Sequence, residues 1–162
     1  MLSEKTKIEQ ARDLFRQQEF NQSFVVCVDY LTENPGNFEA IRLKAKLLSM
    51  RDDLWAAIDE ITVLLAENDR PELCDFFYRG RWLLRIGSIA QSCSDFQKVI
   101  ELGSLYNFNF YAEDAHLHLA FAKTKLGDKI GAEIHLKFLN SESATSINNQ
   151  LINLKFLRSL IA

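Results

Sequence analysis

The chain has 162 residues, enough for one domain with a sizeable core, and its 48% hydrophobic and 25% charged residues are ordinary for a globular protein. Two prolines and six glycines are too few for a turn-rich all-β fold. The net charge of −3 argues against a dedicated nucleic-acid binder, and no apolar run approaches the ~18 residues that span a bilayer. We therefore expect a helical protein that binds neither nucleic acid nor membrane.

The N-terminus and the cysteines predict a cytoplasmic location. The first ten residues, MLSEKTKIEQ, are polar and lack the apolar segment of a signal peptide. Cys27, Cys74 and Cys93 are an odd number of cysteines without paired spacing. We interpret them as reduced thiols, of which Cys27 and Cys93 occupy apolar packing positions.

A first pair of helices is predicted between the N-terminus and residue 37. Ser3 is a candidate N-cap, and helical spacing of apolar residues continues to about Gln18. A second helix begins near Phe20, and the segment Asn34-Pro35-Gly36-Asn37 ends it. Two helices joined by a short turn form a hairpin, which is the unit that the rest of the chain repeats.

Three more hairpins follow the same pattern. In the third, the turn Ile86-Gly87-Ser88 joins two helices, and the small residues Gly80 and Ser92 stand where the helices must approach closely. Small residues recur at the matching places of the other hairpins: Ser23, Ala45, Ala57, Ala120 and Ala132. The predicted units cover approximately residues 4–37, 38–71, 73–106 and 113–146.

Two segments depart from the repeat. The aromatic stretch Tyr106–Tyr111 is interpreted either as a loop that contacts a ligand or as an extension of the fourth hairpin. After the polar break at residues 141–146, a helix is predicted over Ile147–Ala162, apolar on more than one face because Ile152 and Phe156 point away from its main stripe. We interpret this helix as a cap of the array, or alternatively as a homodimer or partner contact.

The hairpin pattern resembles the tetratricopeptide repeat (TPR), a helix–turn–helix unit of 34 residues. The resemblance covers about Glu4 to Ser146, and Sel1-like or other helical-hairpin repeats are alternatives. It implies an all-α, right-handed TPR-like α-solenoid of about four hairpins plus a C-terminal capping helix, in a single domain of residues 1–162.

Catalytic and metal-binding patterns are weak in this sequence. His116 and His118 are two residues apart on a predicted helix, so their side chains point about 200° apart and are poorly placed to hold one ion. His135 lies on another predicted helix. There is no CxxC motif and no glycine-rich phosphate loop. We predict no catalytic residue, no metal and no cofactor, and hence a protein that is not an enzyme.

The resemblance further implies that the first helix of each unit lines a concave groove. Helical projection places several basic residues and interleaved aromatics on that face, while the second helices carry many acids. Arginine pairs with carboxylates in a bidentate way, so a basic groove would select an acidic ligand. The predicted ligand-binding residues are Arg12, Arg42, Lys46, Arg81, Arg85 and Lys125 for charge recognition, with Phe77 and Phe121 as apolar anchors.

The resulting prediction is a non-catalytic adaptor or chaperone-like module that binds an acidic peptide or protein surface. An ordinary solvated helix face is the alternative interpretation of the basic residues. Two other functions fit a small helical protein without enzyme motifs. One is an immunity or inhibitor protein that neutralises a toxin or enzyme by direct binding. The other is an assembly subunit that self-associates through Ile147–Ala162.

Overall fold

The computed structural model describes residues 6–161, in which helices pair in sequence as hairpins. The helices are α1 (Lys7–Arg16), α2 (Phe20–Glu33), α3 (Phe38–Met50), α4 (Leu54–Glu67), α5 (Leu73–Arg85), α6 (Ile89–Leu105), α7 (Ala112–Lys125), α8 (Lys129–Leu136) and α9 (Leu154–Ile161), with strands β1 (Ala144–Ile147) and β2 (Gln150–Asn153) before α9. The pairs α1–α2, α3–α4, α5–α6 and α7–α8 confirm the four predicted hairpins. Among the described residues, no helix combines the length and apolar content that a bilayer crossing requires.

The chain divides into two compact units, Met1–Pro71 and Glu72–Ala162. The first has a core built around Ile8, Cys27 and Leu47. The core of the second is larger and rich in aromatic residues, with Phe96 fully buried among side chains of α5, α6, α7 and the C-terminal segment. The prediction of a single domain stays a prediction.

Small residues occupy the contact between the two helices of every hairpin. Ala45, Ala57, Ala120 and Ala132 are fully buried, as are Ser23 and Ser92. Gly80 shows why size matters there, because a Cβ atom on it would lie 3.1 Å from both the Phe96 ring and the Asp95 Cβ. In the first hairpin the Ser23 hydroxyl also donates a hydrogen bond to the Ala11 carbonyl, 2.7 Å away. The predicted close approach of the paired helices is therefore confirmed.

A residue in the left-handed region ends the first helix of each hairpin. Gln18, Asp52, Gly87 and Gly127 have φ values of 64°, 62°, 86° and 76°. These four positions follow the same register as the small residues. Glycine adopts such φ values at no steric cost, whereas other residues are strained there. The first and second turns thus reach the same geometry as the third and fourth with less suitable residues.

The first helix begins later than predicted. Thr6 is the N-cap of α1, and its hydroxyl accepts a hydrogen bond from the Glu9 amide while the Glu9 side chain accepts from the Thr6 amide. This reciprocal capping box satisfies two amides that the helix leaves unpaired. Ser3, the predicted cap, lies outside the described residues.

Ion pairs at equivalent positions join the helices of the second and third hairpins. Lys44 on α3 lies 2.5 Å from Glu60 on α4, and Arg79 on α5 binds Asp95 on α6 through two hydrogen bonds of 2.7 and 2.9 Å. The Asp95 side chain is only 5% exposed. Its charge is stabilised by a bidentate guanidinium, the strongest geometry for such a pair.

The helix predicted over Ile147–Ala162 is wrong in its first half. Residues 144–153 form an antiparallel β-hairpin instead, and α9 begins only at Leu154. Asn148 and Asn149 both have positive φ, as a two-residue type I′ turn requires, and this overrides the apolar spacing. Ile152, predicted to point away from the main apolar stripe of the helix, is fully buried in the core of the second unit, and Phe156 packs against that core. Leu151 and Leu160 are the exposed large apolar residues of the described part of this segment.

The aromatic stretch is a connection and not an extension of α7. Tyr106 caps the end of α6, and α7 starts at Ala112. The third hairpin and the connection after it are longer than in the other repeats. The additional residues lie partly in α6, which is longer than α2 and α4, and partly in the segment that connects α6 to α7. Phe108 and Phe110 stack on each other with ring centroids 6.2 Å apart, and both side chains are exposed.

Exchanging turn residues between hairpins tests the role of the left-handed positions. Gly87→Gln is expected to lower the free energy of unfolding by ~1 kcal/mol, because no atom lies within 4 Å of the added Cβ and only backbone strain changes. Gln18→Gly is expected to raise it by a smaller amount, because glycine also gains entropy in the unfolded chain. Urea unfolding followed by circular dichroism measures both. Effects of the same sign in the two variants would contradict this explanation.

Candidate functional site

The predicted ligand-binding residues are divided between the two compact units. Arg12, Arg42 and Lys46 belong to the first unit, on α1 and α3. The other five residues belong to the second unit, on α5 and α7: Phe77, Arg81, Arg85, Phe121 and Lys125. The contacts of each set are therefore described separately.

In the first unit the charge of Arg12 is already compensated. Its guanidinium lies 2.7 Å from the Glu39 carboxylate, which links α1 to the first turn of α3. Arg42 and Lys46 are one helical turn apart on α3, and both side chains are half-buried. An acidic ligand that contacts Arg12 would therefore have to compete with Glu39.

In the second unit two cations lie over aromatic rings. The Arg81 guanidinium carbon is 5.8 Å from the Phe77 ring centroid, and the Lys125 Nζ is 5.2 Å from the Phe121 ring centroid. Such contacts contribute roughly 0.5–1 kcal/mol each at exposed sites. They also hold each cation on the surface of a helix, because the ring beneath it cannot move.

Phe77 and Phe121, predicted as apolar anchors for a ligand, are core residues whose side chains are buried. They are 4% and 5% exposed. The Phe77 ring contacts the rings of Tyr78, Phe96 and Tyr111, with centroid distances of 5.8, 6.1 and 4.7 Å. Helical projection places both residues correctly beside the cations but cannot tell that neighbouring helices cover them. They support the basic residues and do not offer apolar surface to a ligand.

Two further features border this basic surface. The Asn148 side-chain amide, in the turn of the β-hairpin, donates to the Arg85 carbonyl at 3.3 Å, which places that turn beside the end of α5. Asp114, at the start of α7, is an acid within the same region. Burial raises the pKa of Asp114, and the positive charge of Arg81 partly opposes that rise. We name the surface formed by Arg81, Arg85 and Lys125 the α5–α7 basic face.

His118 is a buried part of this region and not a surface histidine. It is 1% exposed, its Nδ1 donates to the Asp114 carbonyl oxygen at 2.6 Å, and its ring stacks on Phe96 with centroids 4.9 Å apart. Burial lowers its pKa to about 4, and Arg81 adds to the effect. Its Nε2 has no hydrogen-bond partner among the described residues. The ring is therefore neutral at pH 7.

The structure brings His116 and His135 together, which the sequence analysis missed. Their Nδ1 atoms are 2.9 Å apart, so one ring donates a hydrogen bond that the unprotonated nitrogen of the other accepts. The ring of Phe138 stacks on His116 at a centroid distance of 4.1 Å. Burial lowers the pKa of His116 to about 4, and that of His135 falls as well. The repeat register held the signal, because His135 occupies the position that Glu60 and Asp95 use to contact the preceding helix.

The described residues contain no group of three or more histidine, cysteine or acidic side chains placed to hold a metal ion. The cysteines are all free thiols. Cys27 is buried, and its burial raises the pKa of the thiol to about 11, so it stays protonated at neutral pH. The prediction that the chain is not an enzyme stays a prediction.

Solved structures share this arrangement of hairpins. A crystal structure of MamA aligns with a TM-score of 0.69 and 15% identity, covering 79% of this chain and 71% of that one. The fold is TPR-like. A second MamA structure aligns with a TM-score of 0.71 and 15% identity, over 82% of this chain and 68% of that one. A tetratricopeptide repeat protein from Parabacteroides merdae ATCC 43184 aligns with a TM-score of 0.67 and 17% identity, over 82% of this chain and 49% of that longer one.

These likenesses confirm the predicted all-α, TPR-like α-solenoid class. At 15–17% identity they show the fold alone. No protein-family model and no curated protein matches the sequence. The function therefore has to be argued from the surfaces that the TPR-like hairpins carry.

Burial of His118 makes the free energy of unfolding depend on pH. His118 binds a proton near pH 6.5 when unfolded but only near pH 4 when folded, so the unfolded state binds more protons between these values. Stability is then retained above pH 6.5 and falls as pH drops towards 4, by up to ~3 kcal/mol for this group. Urea unfolding from pH 7 to pH 4.5 measures the slope.

His118→Phe keeps a ring against Phe96 and removes the titrating group. We expect a smaller loss of stability with falling pH in this variant than in the wild type. His116 and His135, whose pKa values burial also lowers, act on stability with the same sign as His118, whereas Asp95 and Asp114, whose pKa values burial raises, act with the opposite sign. All four groups are common to both proteins. Equal slopes in the two proteins would show that His118 is not the group responsible.

Proposed function

We propose that the chain is a non-catalytic protein-interaction module, and that the α5–α7 basic face binds an acidic segment of another protein. The observation that carries the proposal is the position of three cations on the first helices of two consecutive hairpins, two of them over buried rings. First helices are the usual binding surface of stacked helical repeats, which supports the assignment.

The chemistry of the face favours carboxylates. Two arginines supply planar donors that match a carboxylate in a bidentate way, and the lysine adds a point charge. Arg81 and Lys125 are held over Phe77 and Phe121, so they lose less side-chain freedom when a ligand binds. Asp114 adds a local requirement, because a ligand carboxylate placed next to it is repelled. The expected ligand therefore carries spaced acids and not a continuous acidic run.

The contribution of the first unit to this function is smaller in our proposal. Arg12 is paired with Glu39, whereas Arg42 and Lys46 lie half-buried on α3. We keep Arg42 and Lys46 as secondary contacts for the same class of ligand. The adaptor or chaperone-like role, and the rival role as an immunity protein, differ in the partner and not in this surface chemistry.

Charge reversal on the basic face tests the proposal. The variant Arg81→Glu, Arg85→Glu, Lys125→Glu is compared with a control of equal net charge, Lys98→Glu, Lys155→Glu, Arg158→Glu, whose positions are exposed on α6 and α9. A fluorescent peptide of alternating Glu and Leu, and a matched peptide with Gln in place of Glu, are titrated by anisotropy. We expect the wild type and the control to prefer the Glu peptide, and the face variant to bind it at least ~10-fold more weakly.

Affinity capture from native lysate with the same three proteins identifies the partner. A protein retained by the wild type and the control but lost from the face variant is the expected result. A protein retained by all three would contradict the assignment of the α5–α7 basic face, as would equal affinity of the wild type for the Glu and Gln peptides.

A further inference from the structure

The second helices of the hairpins differ in what they expose. On α6 the exposed positions along the helix are polar apart from Ala90, and they include Gln91, Ser94 and Gln97. Its exposed large apolar residue is Leu105 at the very end. On α4 and α8, by contrast, large apolar side chains are exposed along the helix. Because the hairpins are equivalent, α6 serves as an internal reference, and the apolar residues of α4 and α8 need a separate explanation.

The exposed face of α4 is apolar and acidic. Trp55, Asp59, Val63 and Glu67 follow one another every four residues and form one row along the helix, which we name the α4 stripe. Trp55 is 65% exposed and Val63 52%. The helix contains no lysine or arginine. Within residues 6–161, neither Asp59 nor Glu67 has an ion-pair partner, whereas Glu60 on the inner side is paired with Lys44.

The exposed face of α8 is apolar and carries two lysines. Ile130, Ile134 and Phe138 follow one another every four residues, and Lys129, Glu133 and Lys137 do the same beside them; together they make the α8 stripe. Lys137 is the C-cap of α8 and keeps right-handed helical dihedrals, and Phe138 follows it in the turn after the helix. Ile130 is 77% exposed and Phe138 59%. In the described part of the chain, neither Lys129 nor Lys137 has an ion-pair partner. Phe138 is held in place by its stacking on His116.

The two stripes match in spacing and in charge. Asp59 and Glu67 are eight residues apart, as are Lys129 and Lys137, which corresponds to ~12 Å along a helix in both cases. Both carboxylates can therefore meet both lysines at once. Glu133 lies midway between the lysines and is then level with Val63, where it meets no carboxylate. The apolar residues alternate with the acids in the α4 stripe and lie beside the lysines in the α8 stripe, and on docking the two apolar sets cover one another.

We infer that α4 of one copy of this chain docks on α8 of a second copy. The contact joins two different surfaces, so it is heterologous, and each copy keeps one free α4 stripe or one free α8 stripe for the next. A single pair of helices buries less than a stable interface of ~1,200 Å² requires, so the association is weak and depends on concentration. This surface is separate from the α5–α7 basic face and from the C-terminal segment.

Sedimentation equilibrium and light scattering over micromolar to millimolar concentrations test the inference. The wild type is expected to increase in average mass above that of the monomer as concentration rises. Asp59→Lys with Glu67→Lys, and Lys129→Glu with Lys137→Glu, are each expected to remain monomeric. The control Lys98→Glu with Lys155→Glu changes the net charge as much as the second variant does but should behave as the wild type. Circular dichroism checks the fold of each variant.

Mixing the two monomeric variants restores opposite charges at both contacts. The unchanged α4 stripe of the second variant matches the unchanged α8 stripe of the first, and the two reversed stripes match each other, so the mixture is expected to associate although neither variant does so alone. A single chain with all four substitutions has both stripes reversed and should associate like the wild type. The inference is overturned by a wild type that stays monomeric, by variants that associate unchanged, by a mixture that does not associate, or by a control that loses association.

Discussion

The close approach of the two helices in each hairpin is the constraint on which the rest of the structure depends. Each pair of helices meets at small, fully buried residues, and Gly80 shows how little room there is beside Phe96. This approach decides which residues of the first helices remain on the surface. It also places the large side chains, such as Phe96 and Leu64, in the layers between neighbouring helices.

The aromatic core of the second unit follows from this arrangement and determines its surface chemistry. Phe77 contacts rings from its own helix, from α6 and from the start of α7, so it cannot turn outward to meet a ligand. What it offers instead is a rigid support for Arg81. The positions of the cations on the basic face therefore depend on the core, because the buried rings of Phe77 and Phe121 hold Arg81 and Lys125 in place.

The hairpins use different polar contacts at one shared position. Lys44–Glu60 and Arg79–Asp95 are ion pairs between the helices of the second and third hairpins, whereas the fourth hairpin uses the neutral pair His116–His135. The histidine pair requires at least one neutral ring, so acid weakens this contact between α7 and α8.

The sequence by itself determined the features that depend on local spacing. The number of hairpins, their register, the small residues Gly80 and Ser92 and the turn at Gly87 all follow from periodicity and from the conformational freedom of glycine, which act within a few residues. Helical projection likewise gave the basic residues of α5 and α7 as candidates for ligand binding, which stays a prediction. These predictions needed no knowledge of which helix lies beside which.

Only the tertiary structure decided what depends on neighbours that are distant in sequence. In the folded chain Phe77 and Phe121 are buried, Arg12 forms an ion pair with Glu39, and His116 on α7 forms a hydrogen bond with His135 on α8. A β-hairpin also replaces the first half of the predicted C-terminal helix. There the apolar spacing of the sequence fitted a helix, but burying Ile147 and Ile152 in the core and turning at two asparagines gave the more favourable arrangement.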